Sequence, residues 1–191
     1  MLRVLVRLSF LSAVWSLATL MATAQEVVHA LTGTVSAIDR SAKTIKVDTG
    51  DGSEGLFQVI AKPTTPLAFS KDIRNESTPA NEFVKTGAHV IVFYYGNSYV
   101  ERKAIALLDL GAGPFTNTNG AVVKFEKHQH RLTIKDSAGA EQTFEIGPKT
   151  VVGTAVGPID GNKFDPEKGD QLQVTAASTG GTNMAVFIRA Q

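Results

Sequence analysis

The chain has 191 residues, a formal net charge of +1 at pH 7 and no cysteine. Without cysteine it can form no disulfide bond and no thiolate metal site, so the fold must be stabilised by apolar packing. The near-neutral charge argues against a nucleic-acid or anionic-membrane role that depends on a basic surface.

Residues Met1–Ala24 have the pattern of a signal peptide, with two arginines near the start and an apolar run, Leu8–Leu20. Ala22–Ala24 then supplies an A-x-A cleavage site. The alternative, an uncleaved anchor, is disfavoured because a spanning helix needs about 20 apolar residues. We expect a periplasmic or secreted chain that begins at Gln25, carries 17 basic and 18 acidic side chains, and has no stable membrane insertion.

The segment Leu31–Val59 occurs twice, at a shift of 87 positions. The matched pairs are Gly33 and Gly120, Val35 and Val122, Ile38 and Phe125, Asp39 and Glu126, Ile45 and Leu132, Val47 and Ile134, Gly52 and Gly139, Phe57 and Phe144, Val59 and Ile146. A looser match follows, Phe83–Val92 against Phe164–Val174. The chain therefore contains two copies of one unit.

Alternating apolar and polar residues with glycine-rich turns predict short strands in both copies. The predicted strands of the first copy are 31–38, 44–47, Leu56–Ile60, Ala88–Tyr95 and Tyr99–Leu110. Those of the second copy are Thr118–Glu126, Arg131–Asp136, Gln142–Ile146 and a hairpin from Asp170 to Ala190. Gly87 and Gly169 precede the fourth strand, which predicts turns with positive φ.

The connection Ala61–Thr86 contains three prolines and cannot continue a sheet. We predict one helical turn over Ser77–Phe83, with Thr78 as its cap and Pro79 at the first helical position. The charged run Ser70–Glu76 fits a solvated loop better than a site for a polar ligand.

Three strands, a connection with a short helix and two further strands is the order of an OB-like barrel. We therefore predict an all-β protein of two tandem OB-like five-stranded β-barrels after the signal peptide. The domain bounds would be 25–110 and 118–191, joined by the linker 111–117. Because the linker is short, we expect the two barrels to touch.

Three motifs carry a family resemblance: Gly-Thr-Val-x-x-Ile-Asp at Gly33–Asp39, Lys-Thr-Ile-x-Val at Lys43–Val47, and Gly-Asp-x-Leu-x-Val at Gly169–Val174. The chain resembles small exported bacterial β-barrel domains of unknown function that often occur in tandem. It resembles, more distantly, periplasmic copper/silver-chaperone barrels, whose metal is held by a histidine, two methionines and a tryptophan. Trp15 lies in the signal segment and Met184 is the one methionine after it, so no cofactor is implied.

The fourth strand of the first copy carries an aromatic cluster. If Tyr94 points inward with the valines of its strand, Phe93, Tyr95 and Tyr99 form an outward patch suited to a protein or polysaccharide partner. Alternatively, these rings pack against the second barrel or the long connection.

His128 and His130 could share a zinc or copper ion if they lay on one side of a strand. They fall in the turn between the first two strands of the second copy, however, where a solvated polar turn is the simpler interpretation.

No nucleophile, zinc-protease or phosphate-loop motif occurs, so an enzyme would need residues gathered from distant loops. We predict a non-catalytic binding or interaction module of the bacterial cell envelope. A periplasmic metal-handling protein is the alternative.

Overall fold

A computed structural model describes residues 26–49, 54–63, 67–96, 98 and 101–190. The predicted signal peptide lies outside these residues.

The first half of the described chain contains eight strands and one short helix. In chain order they are β1 (Glu26–Val27), β2 (His29–Asp39), β3 (Thr44–Asp48), β4 (Glu54–Val59), β5 (Leu67–Ala68), α1 (Lys71–Glu76), β6 (Thr78–Pro79), β7 (His89–Tyr95) and β8 (Lys103–Gly111).

The second half of the described chain contains six strands and two 3-10 helices. In chain order they are β9 (Phe115–Glu126), the 3-10 helix Lys127–Gln129, β10 (Arg131–Asp136), β11 (Glu141–Thr154), β12 (Gly157–Asp160), the 3-10 helix Gly161–Lys163, β13 (Gln171–Thr179) and β14 (Thr182–Ala190).

Five strands of the first half pair into a closed ring, called the first ring. The pairing order is β4, β3, β2, β7, β8 and back to β4. The ring closes where β4 runs parallel to β8, with Gln58 opposite Lys103 and Val59 opposite Ala104. All other pairs in the ring are antiparallel.

Five strands of the second half form the second ring in the same order: β11, β10, β9, β13, β14 and back to β11. Here too the closing pair, β11 with β14, is the parallel one. The predicted all-β class is confirmed, with a closed five-stranded barrel in one sheet and a barrel-like ring in the other. Closure pairs the strand edges within each ring, which suits short alternating strands.

Both rings bend their first strand at the same place. The β2–β3 ladder passes from Val35 to Ala37 and leaves Ser36 unpaired, and the β9–β10 ladder leaves Val123 unpaired in the same way. Ser36 and Val123 are 87 positions apart, the spacing of the repeat. A bulge of this kind increases local twist, which helps a small sheet close on itself.

A glycine stands close to each bulge because the neighbouring strand comes too near for a side chain. A Cβ on Gly33 would overlap the carbonyl oxygen of Asp48, and a Cβ on Gly120 would overlap that of Lys135. The two carbonyls are again 87 positions apart. The glycine match in the sequence therefore marks a steric requirement that both rings share.

The turn after the first strand is also the same in both rings. Lys43 and His130 both adopt the left-handed conformation, with φ of 53° and 50°. The Lys43 carbonyl accepts from the N–H of Val59 at 2.7 Å, and the His130 carbonyl accepts from the N–H of Ile146 at 2.8 Å. These two hydrogen bonds tie the turn to the third strand of the ring.

Gly87 and Gly169 have φ of +82° and +98°, which confirms the predicted positive-φ turns. The N–H of Gly87 donates to the Val35 carbonyl at 2.8 Å, and the N–H of Gly169 donates to the Val122 carbonyl at 2.9 Å. Each glycine thus joins the entry to the fourth strand to the bulged first strand.

Three apolar clusters form the interior of the described chain. The first ring encloses Leu31, Val35, Ile45, Val47, Phe57, Ala80, Phe83, Val90, Val92, Ala104 and Leu107. The second ring encloses Val122, Leu132, Ile134, Phe144, Ile146, Val152, Phe164, Leu172, Val174, Ala176, Ala185 and Ile188. The third cluster joins the halves and contains Val28, Ala30, Ile73, Ile91, Phe93, Ala106, Val151 and Phe187. The two units touch, as the short linker predicts.

The helix of the long connection is not where the sequence analysis placed it. Lys71–Glu76, predicted as a solvated loop, is the helix α1, because Ile73 gives it a buried apolar contact in the third cluster. The Ser77 hydroxyl donates to the Ile73 carbonyl at 2.7 Å and caps its end. Thr78–Pro79 pairs with β8. The predicted turn follows directly, because the Phe83 N–H donates to the Pro79 carbonyl at 3.1 Å, but it does not extend into a helix.

Strands of the second half are longer than predicted. β9 begins at Phe115 because its first residues pair with β13, and β11 continues to Thr154 because its end pairs with β12. The predicted strand Arg131–Asp136 is confirmed at both ends.

Candidate functional site

The first ring has an open end, called the first mouth, where β2, β3 and β4 meet the turn that follows β6. A cavity of about 660 Å³ opens there. It is lined by Ile38, Asp39, Arg40, Lys43, Thr44, Ile45, Val59, Ile60, Ala61, Lys62, Ala80, Asn81 and Phe83. An apolar floor with a few polar groups around it is typical of a small-molecule site of this size.

The backbone around the first mouth is fixed by hydrogen bonds. The Asp39 carboxylate accepts from the N–H of Ala42 at 2.8 Å, which holds the turn between β2 and β3. The hydrogen bond from Val59 to the Lys43 carbonyl, described above, holds the same turn against β4. The rim of the cavity is therefore preorganised.

Three exposed cations stand on this rim: Arg40, Lys43 and Lys62. Within the described residues none of them forms an ion pair. The one carboxylate of the lining, Asp39, is occupied by the turn backbone. The first mouth thus combines an apolar floor with an excess of positive charge.

The corresponding end of the second ring, called the second mouth, carries a larger apolar side chain. Phe125 replaces Ile38, and its ring lies against that of Phe164 with the centroids 6.1 Å apart. Phe164 is buried and occupies the place that Phe83 has in the first copy. The larger side chain at position 125 takes up space that the first ring leaves open.

The second mouth is also neutralised. Lys127, the counterpart of Arg40, forms an ion pair with Asp165 at 2.6 Å. The residue that corresponds to Asp165 in the first copy is Val84, which is 57% exposed. Where the second ring has a charge pair, the first ring has the Arg40 guanidinium, which forms no ion pair with any described residue, and an exposed apolar side chain, Val84.

The predicted aromatic patch is wrong as an exposed surface. Phe93 points away from the core of its ring, as predicted, but it is fully buried in the third cluster, 4.9 Å from the Phe69 ring. Tyr95 is also buried, and Lys103 Nζ lies 5.5 Å from its ring centre. Burial, and secondarily the Glu26 carboxylate, raises the Tyr95 pKa. Tyr99 lies outside the described residues.

Of the aromatic side chains, Phe93 packs against the second half of the chain and the long connection, which is the alternative that the sequence analysis left open. Phe93 packs with Phe187 and Val151 of the second half in one cluster, and with the connection through Ile73. Tyr94 packs against the first-ring core, as predicted, with its ring 5.1 Å from that of Phe57. The aromatic strand therefore joins the two units.

His128 and His130 are both exposed, on the 3-10 helix after β9 and directly after it. His130 is the left-handed turn residue that corresponds to Lys43, so its position follows from the backbone of the repeat. Within the described part of the chain no three histidine, aspartate or glutamate side chains are grouped as a metal site would require.

His89 has a structural environment at the start of β7. Its ring nitrogens lie 3.3 Å from the Thr32 hydroxyl and 3.2 Å from the Thr34 hydroxyl. Its ring also stacks on Phe115 at 4.4 Å, which links the first ring to the start of β9. Burial lowers the His89 pKa, because the charged imidazolium would lose contact with water.

No protein-family model matches the chain, and no curated protein matches it. Among the described residues, no helix has the length and apolar character needed to cross a membrane.

Sequence reasoning missed the first mouth. The signal was present in the repeat, where Ile38 is aligned with Phe125 and Val84 with Asp165. In the sequence, Ile38 and Phe125 are simply two matched apolar residues. Their difference in volume indicates a cavity only once the structure places both side chains at the end of a ring.

Proposed function

We propose that this protein is an exported, non-catalytic binding module of the bacterial cell envelope, and that the first mouth is its ligand site. The contrast between the two mouths carries this proposal. One copy of the unit has an open apolar cavity with three cations that form no ion pair within the described residues. The other copy has the larger Phe125 against Phe164 and an exposed ion pair between Lys127 and Asp165.

A stable fold alone gives no reason for this difference. Exposed apolar area such as Val84 and a cavity lined by Ile38 both leave hydrophobic surface in contact with water, which burial would stabilise. In the second ring the same framework covers part of this surface with Phe125 packed against Phe164. Retention of the opening in the first ring therefore favours a binding role.

The chemistry of the lining favours binding over catalysis. Among the lining residues there is no imidazole and no serine hydroxyl, and the Asp39 carboxylate is engaged with the turn backbone. Phe93 and Tyr95 are buried and offer no stacking surface for the predicted polysaccharide partner. We therefore place a small ligand at the first mouth instead.

The envelope location is supported by the signal-peptide pattern of Met1–Ala24 and by the resemblance to small exported bacterial barrels. The second ring would then act as a support, since its residues Val151 and Phe187 pack on the outside of the first ring.

A neutral fluorescent probe, N-phenyl-1-naphthylamine, tests the proposed site. We expect saturable binding with one probe per chain, followed by an increase in probe fluorescence. Ile38→Phe should weaken this binding about tenfold or more, because it places the side chain of the second ring in the first mouth and removes the apolar contact. The exported protein, without its signal peptide, should be used.

Phe125→Ile is the matched control, since it makes the reverse exchange in the second ring and leaves the first mouth intact. The affinity for the first probe should be unchanged, and an opened second mouth would bind a second probe per chain. Circular dichroism should confirm that both variants are folded. Equal probe binding by the unaltered protein and Ile38→Phe would contradict the proposed site, as would a protein that binds no probe.

A further inference from the structure

We propose that the ligand of the first mouth is an amphipathic anion, a single apolar chain that ends in a carboxylate or phosphate. This inference rests on the proposed function and adds the chemical class of the ligand. The apolar part would lie on Ile38, Val59 and Phe83, and the acidic group would lie at the rim.

The floor of the cavity sets the apolar part of the ligand. Ile45 and Phe83 belong to the buried core of the first ring, and Ile38 and Val59 pack against that core while they line the opening. A chain that enters the mouth therefore contacts the ring interior directly. Contacts of this kind are non-directional, so they select a hydrocarbon by size rather than by hydrogen bonding.

The charged residues on the rim determine the charge that we expect on the ligand. The lining contains three cations, Arg40, Lys43 and Lys62, and one carboxylate, that of Asp39, which already accepts a backbone hydrogen bond. A ligand anion would meet an excess of two positive charges on this rim. Arginine and lysine can also lay their methylene stems along an apolar floor while the charged ends remain in water.

The second ring provides an internal comparison for the charge. There the cation at the position of Arg40 has its own anion, because Lys127 pairs with Asp165. In the first ring the corresponding partner is missing, since Val84 stands beside Phe83 where Asp165 stands beside Phe164. An anionic ligand group would pair with Arg40 as Asp165 pairs with Lys127 in the second ring.

The test compares decanoate, decyl phosphate and decanol, which share one chain and differ in the head group. We expect both anions to bind more tightly than decanol at low salt. Raising the salt from about 0.01 M to about 1 M should weaken binding of the anions and should not weaken binding of decanol, because exposed charges are screened. Isothermal titration calorimetry or displacement of the neutral probe gives the dissociation constants.

Two sets of substitutions test the binding of the anionic head group separately from the binding of the hydrocarbon chain. Arg40→Gln combined with Lys62→Gln should raise the dissociation constant of decanoate about tenfold and leave that of decanol within about twofold, since each exposed contact contributes modestly. Val84→Asp should have the same selectivity, because it places an acid at the position that Asp165 has in the second ring. Lys127→Gln, the equivalent change in the second ring, is the control and should change neither constant.

The outcomes distinguish this inference from the function on which it rests. If decanol binds as tightly as decanoate and the charge variants leave decanoate binding unchanged, the binding site stands and the anionic ligand class is overturned. If no chain binds, or if Ile38→Phe binds all three chains normally, the proposed function fails as well. Binding to vesicles of anionic phospholipid without binding of decanoate would overturn the pocket and indicate a surface contact with headgroups.

Discussion

The two rings share the same backbone features and differ in the side chains at their open ends. Both have the bulge, the left-handed turn at Lys43 or His130, and the glycine at Gly33 or Gly120 that lets a neighbouring strand approach. They differ at the mouth, where Ile38 in one copy corresponds to Phe125 in the other. Closure of a small ring constrains backbone positions strongly, whereas the open end tolerates different side chains.

The surfaces that join the rings differ in a compensating way. In the first ring Phe93 lies opposite Ala106, and in the second ring Phe187 lies opposite Thr175. Each pair has one phenylalanine and one small residue, with the phenylalanine on the fourth strand in one copy and on the fifth in the other. Both phenylalanines are fully buried in the third cluster. The contact between the copies therefore depends on residues at which they have diverged.

The largest effect should come from this contact. Phe93→Ala and Phe187→Ala should each lower the free energy of unfolding by about 3–5 kcal/mol, because each leaves a cavity among fully buried side chains. The measurement is urea denaturation followed by circular dichroism. The double variant should cost less than the sum if the two residues support each other.

The control for this prediction is Phe144→Ala, which removes a phenylalanine from the second-ring core. If the rings are joined by the third cluster, the Phe93 and Phe187 variants should also separate the unfolding of the two rings into distinct steps. A loss below about 1 kcal/mol for either residue would show that the contact contributes little to stability.

A smaller effect of equal size is expected in the two rings at the close approach of the first strand. Gly33→Ala and Gly120→Ala should each destabilise the fold by about 1–3 kcal/mol, because the added Cβ overlaps a backbone carbonyl that cannot easily move. Thermal unfolding measures both.

Ser36→Ala is a suitable control, since Ser36 is exposed at the bulge and should change stability by less than about 0.5 kcal/mol. A normal stability for one of the two glycine variants would mean that the rings do not share this steric requirement.

The turns before the fourth strand should be affected less. Gly87→Ala and Gly169→Ala should each cost about 1 kcal/mol, because both positions have positive φ and both have open space around the missing Cβ. Only backbone strain then acts. His130→Gly, at another left-handed position, should be neutral or slightly stabilising, and a loss there as large as at Gly87 would contradict the conformational explanation.

The smallest effect should be a pH dependence confined to the first ring. Because burial lowers the His89 pKa, the unfolded chain takes up a proton that the folded chain does not. His89 therefore lowers stability as the pH falls below about 6.5 and has no such effect above it. The melting temperature of His89→Gln should fall less between pH 7.5 and 5.5 than that of the unaltered protein.

His128→Gln is the control, because it removes an exposed imidazole. An equal pH dependence in His89→Gln and the unaltered protein would contradict the assignment to His89.

Asp109 affects stability in a separate, more acidic pH range. The hydrogen bond from Lys85 holds the Asp109 pKa below its usual range. The stability that Asp109 contributes is therefore present above the ordinary aspartate pKa and is lost as the pH falls through the lowered value.

Much of the fold could be predicted from the sequence, because strand alternation and the repeat are local. Ile45, Val47, Leu132 and Ile134 alternate with polar residues in the sequence and are fully buried. The helix α1 was missed because its apolar signal is a single residue, Ile73, whose partners lie far away in the chain.

The candidate site was harder to predict for the same reason. Phe93 alternates outward in its strand, and the period of two cannot tell whether an outward side chain meets water or another unit. The first mouth required a different kind of information, that Ile38 and Phe83 line a cavity at one end of the first ring.

The sequence by itself determined the two copies, their strands and the glycines that permit close approach, since these depend on neighbours in one chain segment or on backbone conformation. Only the tertiary structure decided which outward faces are buried and which end of a ring stays open. Those outcomes depend on how distant segments pack, because a residue such as Phe93 has the same local pattern whether Phe187 or solvent lies beside it.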